Sequence, residues 1–115
     1  MRKESSLRRG DIYTTAARGA YTGKARPVIV IQDDRFDATT SVTVVPFTTS
    51  EVDAPLLRIP IYATATTGLS QPRRLMIDKV TTVPRASLIT RLGRLPAPDI
   101  VALQRGLIVF FGLAG

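Results

Sequence analysis

Apolar residues occupy consecutive positions in Pro27-Val28-Ile29-Val30-Ile31-Gln32 and again in Ser41 to Phe47, which reads SVTVVPF. Short β-branched runs of this kind mark strands that are covered on both faces. Pro27 heads the first run, where a missing N–H is tolerated. Leu57, Ile59 and Ile61 instead alternate with Arg58, Pro60 and Tyr62. That period of two predicts a half-exposed strand, and Pro60 assigns it to a sheet edge. Asp11-Ile12-Tyr13-Thr14-Thr15 has the composition of a short strand. Arg73 to Val83 holds a strand pair or one bent strand, and Leu88 to Leu95 a further short one. The polar stretch Asp33-Asp34-Arg35-Phe36-Asp37 predicts a turn or a single helical turn, and Arg18 to Lys24 a glycine-punctuated loop.

The pattern changes period once. After Pro96, the apolar residues Ile100, Leu103, Leu107 and Phe110 or Phe111 recur at three- and four-residue steps, one face of a helix. Pro98 suits the first turn, Asp99 complements the positive end of the helix dipole, and Gly112 suits the C-terminal cap. Gly106 inside this helix costs about 1 kcal/mol relative to alanine, which predicts close packing there. Ile108-Val109-Phe110-Phe111 is apolar on every side, more than one helix face needs, and so suggests a dimer contact or a partner's groove. Five to seven short strands followed by one helix predict a mainly β (α+β) fold. The expected architecture is a small, partly closed SH3-like barrel with a C-terminal amphipathic helix. Residues 1–8 are expected to be a flexible basic lead-in to a single domain spanning residues 9–115.

At 115 residues the chain has room for one core. It contains neither cysteine nor histidine. Disulfides, thiolate nucleophiles, the usual zinc sites and histidine acid–base chemistry are therefore excluded. Lys and Arg outnumber Asp and Glu by 16 to 9, a formal net charge of +7. A charge of that size either serves solubility or indicates a polyanionic partner, nucleic acid before membrane. No stretch reaches the roughly 18–20 apolar residues of a membrane span, and Leu7-Arg8-Arg9-Gly10 interrupts the start where a signal peptide would turn apolar. A cytoplasmic protein without a membrane association is expected. Asp33, Asp34 and Asp37 superficially suggest a metal site, but carboxylates clustered in a turn more often cap a helix.

Several segments together resemble a known family. Arg9-Gly10-Asp11-Ile12-Tyr13 opens a strand. Arg26-Pro27-Val28-Ile29-Val30-Ile31-Gln32-Asp33-Asp34 follows, then Val44-Val45-Pro46-Phe47-Thr48-Thr49-Ser50. Leu75 to Val83, Leu92-Gly93-Arg94-Leu95 and the closing helix complete the order. From Arg9 onward the chain resembles the MazF/PemK family of toxin endoribonucleases. The resemblance implies a homodimer that cuts single-stranded RNA without a metal or other cofactor, leaving a 2′,3′-cyclic phosphate and a 5′-hydroxyl, and that a cognate antitoxin neutralises. It places the family's catalytic arginine on Arg26 and its catalytic threonine on Thr48. Asp78 matches the aspartate of an Arg-x-Asp pair found in some members, although Met76 stands where that arginine would be. The loop before Arg26 reads Gly19-Ala20-Tyr21-Thr22 and lacks the carboxylate that many members carry there.

RNA brings its own nucleophile, the 2′-hydroxyl, so the protein needs only to align the attack and stabilise charge on phosphorus. Arginine suits this with its permanent charge and two-pronged fork, and threonine adds a neutral donor on a short arm. The proton acceptor is open between Asp78 and Arg26 acting with water, and Asp78 could equally pair with Arg73 or Arg74. Arg18, Tyr21 and Lys24 are the expected loop contacts to RNA, cations for phosphates and an aromatic face for a base. Thr49 and Lys79, beside Thr48 and Asp78, are the remaining expected contacts. Two alternatives stay open on the residues alone: a toxin of the same fold that binds gyrase, and a non-catalytic nucleic-acid-binding barrel.

Overall fold

The structure, a computed structural model, describes residues 7–16, 25–50 and 57–113. These form seven strands, β1 (Asp11–Ala16), β2 (Ala25–Val30), β3 (Ser41–Thr48), β4 (Arg58–Ile61), β5 (Arg73–Met76), β6 (Thr81–Pro84) and β7 (Leu88–Arg94), followed by one helix, α1 (Ala97–Phe110). All pairings are antiparallel, in the order β4-β5-β3-β2-β1-β7, with β6 also on β3. The predicted partial closure takes the form of an open, bent sheet: β4 and β7 stand at opposite ends of the order. Pro60 lies on the edge strand β4, where its missing donor is harmless.

The bend is built into β3. One side of this strand pairs with β2, while the other pairs with β6 over Ser41–Val44 and with β5 over Phe47–Thr48. Pro46, which cannot donate to a ladder, stands where the second side changes partner. The chain thus leaves one sheet and enters the next at Thr48, and that junction positions the site described below.

Consecutive apolar residues in β2 and β3 serve two cores. Ile29, Val45 and Phe47 join Ile12, Ile61, Leu75, Ile77 and Leu103 in the larger cluster, and Val28, Val30, Val42 and Val44 join Leu7 in a smaller one on the other face. α1 covers the larger cluster, with Leu103 buried and Ile100 and Leu107 packed at its margin. Pro98 lies in its first turn and Gly112 follows it at φ +72°, as the caps predict. Gly106 faces Ile77 and Ile59, but a methyl group there would meet them at 3.4–3.6 Å. The packing is ordinary contact, looser than the glycine suggested. The C-terminal surplus is exposed: Ile108, Val109, Phe110 and Phe111 all lie on the surface, with the two phenyl rings edge to face at 5.3 Å.

Two polar arrangements hold the frame. Asp11, only 2% exposed, accepts from Arg94 at 3.0 Å, from Arg91 at 3.3 Å and from the Arg8 N–H at 3.0 Å. The loop after β4 is pinned to β7 where Arg94 N–H donates to the Thr66 carbonyl at 2.8 Å. That approach requires Gly93, since a Cβ there would stand 2.3 Å from the same carbonyl oxygen. The aspartate turn is also structural: Asp33 accepts from the Arg35 N–H at 2.9 Å and caps a 3₁₀ turn, while Asp34 accepts from the Arg9 N–H at 2.7 Å. Among the described residues no helix is long and apolar enough to cross a membrane.

Candidate functional site

Antiparallel register explains how distant residues reach one place. β2 and β3 pair Val28 with Pro46, and continuing that register two residues sets Arg26 opposite Thr48. Thr48 in turn pairs with Arg74 on β5, and Arg74 with Pro60 on β4. Paired residues in a ladder project from the same face. Arg26 and Thr48 therefore share a face with Val28, Val30 and Val44 at the margin of the smaller core.

Beside Thr48 the change of sheet opens a cavity of about 170 Å³. Thr48, Thr49, Tyr62, Arg73 and Arg74 line it, together with Pro60, Ile61 and Pro72. None of these described lining residues is acidic. The Thr48 hydroxyl accepts from the Ser50 N–H at 3.1 Å, which orients the oxygen and leaves its proton for another acceptor. Tyr62 is 75% exposed and offers a ring at the cavity's border. Its loop is held by Thr67, whose buried hydroxyl donates to the Tyr62 carbonyl at 3.0 Å.

Arg73 is the residue that sequence reasoning treated only as a possible partner for Asp78. It lines the cavity, and its Nε is buried without a hydrogen-bond partner among the described residues. Burial, and then the neighbouring positive charge of Arg26, push its guanidinium below the ordinary value. Partial desolvation and a neighbouring positive charge both disfavour the charged form of this guanidinium. Nothing in the sequence marks Arg73 apart from its neighbour: the register pairs Arg74 with Thr48 and Arg73 with Ile61, and the change of sheet brings both to the cavity.

The structure does not bring Asp78 into this group. It lies in a 3₁₀ turn, Ile77–Lys79, beyond the far end of β5. The β4–β5 ladder pairs Ile61 with Arg73 at one end and Arg58 with Met76 at the other. At about 3.3 Å per residue those ends are roughly 10 Å apart. Asp78 is hydrogen-bonded and ion-paired to Arg58 rather than to Arg73 or Arg74, with Lys79 at 3.9 Å. Burial alone would raise its carboxyl, but the hydrogen bond and charge of Arg58 outweigh that and hold it below the usual carboxylate range. A carboxylate so stabilised is a weak proton acceptor. Of the expected RNA contacts, Thr49 lines the cavity and Lys79 does not. Arg18, Tyr21 and Lys24 lie outside the described residues.

Comparison with known proteins places this arrangement in context. Residues 8–111 match the model of the PemK-like, MazF-like toxins of type II toxin-antitoxin systems. The chain is 71% identical over 109 residues to a probable endoribonuclease MazF of Mycolicibacterium smegmatis, covering 95% of this chain and all of that one. A solved structure of the Mycobacterium tuberculosis toxin MazF-mt6 superposes with a TM-score of 0.73 at 29% identity, covering 89% of this chain and 96% of that one. A mycobacterial endoribonuclease solved in complex with its cognate antitoxin shares the fold, with a TM-score of 0.73 at 18% identity over 93% and 94% of the two chains.

Proposed function

The chain belongs to the PemK-like, MazF-like toxin family of type II toxin-antitoxin systems and is an endoribonuclease toxin, and from that premise we propose that it cuts single-stranded RNA at the junction of β2, β3 and β5 by internal transesterification. The observation that carries this reading is the β2–β3 register, which when continued sets Arg26 opposite Thr48, beside a cavity whose charged and polar side chains among the described residues are arginines and hydroxyls. Such a donor set suits a phosphodiester and offers a hard cation no carboxylate.

In this reaction the ribose 2′-oxygen bonds to phosphorus while the bond from phosphorus to the 5′-oxygen breaks. The 2′-hydroxyl releases its proton and the departing oxygen takes one up. The products are a 2′,3′-cyclic phosphate and a 5′-hydroxyl, and no water or metal is consumed. Arg26 donates to the non-bridging oxygens, where negative charge grows as phosphorus becomes five-coordinate. Thr48 donates its oriented hydroxyl to the same group and, on the stiff arm of a β-branched side chain, fixes where it sits. The protein acts as a homodimer in the cytoplasm and is neutralised by a cognate antitoxin. The net charge of +7 assists capture of the polyanionic substrate.

The test is cleavage of single-stranded RNA in EDTA, mapped by primer extension, with product ends analysed for the cyclic phosphate. Folded Arg26→Ala protein is expected to lose on the order of 10²–10³ in rate, as when a preorganised donor is removed from a transition state. Unchanged cutting by that variant, or cutting that stops in EDTA, would overturn the proposal. Inhibition of gyrase supercoiling without RNA cleavage would point instead to the binding toxin of the same fold.

A further inference from the structure

A single exposed tyrosine on a protein surface is ordinary. Tyr62 is placed differently. It directly follows β4, lines the cavity beside Thr48, and is 75% exposed. Pro60 and Pro72 line the same cavity, both exposed, and their rings carry no N–H that needs a partner there. The β4–β5 register pairs Pro60 with Arg74 and Ile61 with Arg73, so its next step sets Tyr62 opposite Pro72. Paired and alternate residues share a face, which gathers these three rings on the face that carries Thr48.

The backbone under the tyrosine is fixed in advance. Loops are ordinarily among the more mobile parts of a protein. This one closes on Thr67, only 1% exposed, whose hydroxyl donates to the Tyr62 carbonyl at 3.0 Å and accepts the Thr64 N–H at 3.1 Å. The Gly68 N–H donates to the Thr64 carbonyl at 2.9 Å, and Gly68 packs so near β7 that a Cβ would collide with the Leu92 carbonyl. All this order presents a ring that adds almost nothing to either core. Phe36 and Ile89 are exposed as well, but neither is among the described residues of the cavity.

We infer that the Tyr62 ring, flanked by Pro60 and Pro72, is the stacking platform for one nucleobase next to the scissile phosphate. This rests on the reading above that RNA enters the cavity beside Thr48. A nucleotide whose phosphate meets Thr48 lays its base toward the rim where Tyr62 stands. The cavity of about 170 Å³ is smaller than the roughly 300–1,000 Å³ of sites for whole drug-sized ligands, which suits a single flat ring. Single-stranded RNA has unpaired bases to offer, and every base has a π-face to stack on an aromatic side chain. Because Tyr62 is held before RNA arrives, little ordering is left to oppose binding. The stacked base is gripped alike before and during the attack on phosphorus, so the platform acts on affinity rather than on the chemical step.

The test compares the full chain with its Tyr62→Ala and Tyr62→Phe variants. Fluorescence anisotropy follows binding of a random-sequence 2′-fluoro RNA, which has no nucleophile to cleave it, across a range of salt concentrations. A tetrahydrofuran–phosphate oligomer of the same length, which carries the charge without the bases, is the control. Tyr62→Ala is expected to melt like the parent, since the side chain is exposed. It should lose at least about fivefold in affinity for the RNA, the lower end of what one stacked base contributes. Its affinity for the baseless oligomer should stay within about twofold, and its salt slope should not change, because no phosphate contact is lost. Tyr62→Phe keeps the ring and should bind RNA like the parent. On RNA that the parent cuts, Tyr62→Ala should raise KM by the same factor and leave kcat within about twofold.

Equal losses on the RNA and on the baseless oligomer would show that Tyr62 shapes the loop rather than holds a base, and would overturn the inference. So would a Tyr62→Ala protein that melts lower than the parent, or a Tyr62→Phe protein that binds as weakly as Tyr62→Ala. A parent that cuts RNA, with binding and KM untouched by Tyr62→Ala, leaves the catalytic proposal intact and removes this one. If the parent shows the base-dependent loss on replacing Tyr62 but cuts no RNA, the catalytic proposal fails and the platform stands. A parent that neither binds nor cuts RNA removes both.

Discussion

Two groups of arginines use the same chemistry to opposite ends. At the β1–β7 seam, Arg91 and Arg94 converge on Asp11, whose buried carboxylate also takes the Arg8 N–H. Positive and negative charge are matched there, and the product is a fixed strand register. At the β3–β5 junction, Arg73 stands by Arg26 with no acidic residue among the described cavity lining. The Arg73 Nε is buried there without a hydrogen-bond partner among the described residues. Counting arginines would rate the two places alike. The difference lies in what surrounds them: a buried carboxylate at the seam, and hydroxyls, prolines and an exposed tyrosine among the described residues of the cavity.

Separate losses at the two places follow. The largest is in rate: Arg26→Ala should raise the barrier by about 2.7–4 kcal/mol, the equivalent of a 10²–10³-fold loss, with an unchanged melting temperature. Asp11→Ala should do the reverse and cost about 2 kcal/mol of stability in urea unfolding, the worth of hydrogen bonds between charged groups with the acceptor buried. Its cleavage rate at a temperature where it stays folded should match the parent. An Asp11→Ala protein that melts normally would show that the seam is held by strand pairing alone and would dissolve the contrast.

A smaller effect tests the helix over the larger core. Gly106→Ala should stabilise by about 0.4–1 kcal/mol, because the methyl meets Ile77 and Ile59 at ordinary contact distance and removes backbone freedom from the unfolded chain. Loss of stability in chemical unfolding would mean that the helix sits closer to Ile77 than 3.4 Å.

The smallest effect separates Asp78 from the site. Its carboxyl is held lower in the folded protein than in the unfolded chain. The unfolded state therefore binds the proton first, and the stability this group contributes is complete above the unfolded value, near 4. It is lost as pH falls through the lower folded value. Asp78→Asn should flatten this acid limb of the stability curve and leave the rate of RNA cleavage at neutral pH within about twofold of the parent, as befits a surface-bordering ion pair. A rate loss comparable to that of Arg26→Ala would restore Asp78 to the chemistry.

Much of this could be read from the chain because local rules suffice for local features. The apolar runs at Pro27–Ile31 and Ser41–Phe47 predict strands buried on both faces, and they feed the two cores through alternate residues. Pro60 assigns β4 to an edge because a missing N–H is tolerable only there. Pro98, Asp99 and Gly112 delimit α1. The family resemblance drew attention to Arg26 and Thr48 by the residues around them. Asp78 was legible as a charged residue near two arginines in sequence, Arg73 and Arg74, yet it pairs with Arg58, twenty residues away.

What the amino-acid order determined alone was the set of elements, the positive balance and the absence of histidine and cysteine chemistry. Each depends on residue type or on spacings of two to four positions. Only the tertiary structure decided which cation meets which carboxylate. That outcome depends on the register of β4 on β5 and on the change of partner along β3, where one strand's edge passes from β6 to β5. Register is set by the packing of both cores at once, so no local spacing records that Arg58 meets a carboxylate while Arg73 meets Arg26.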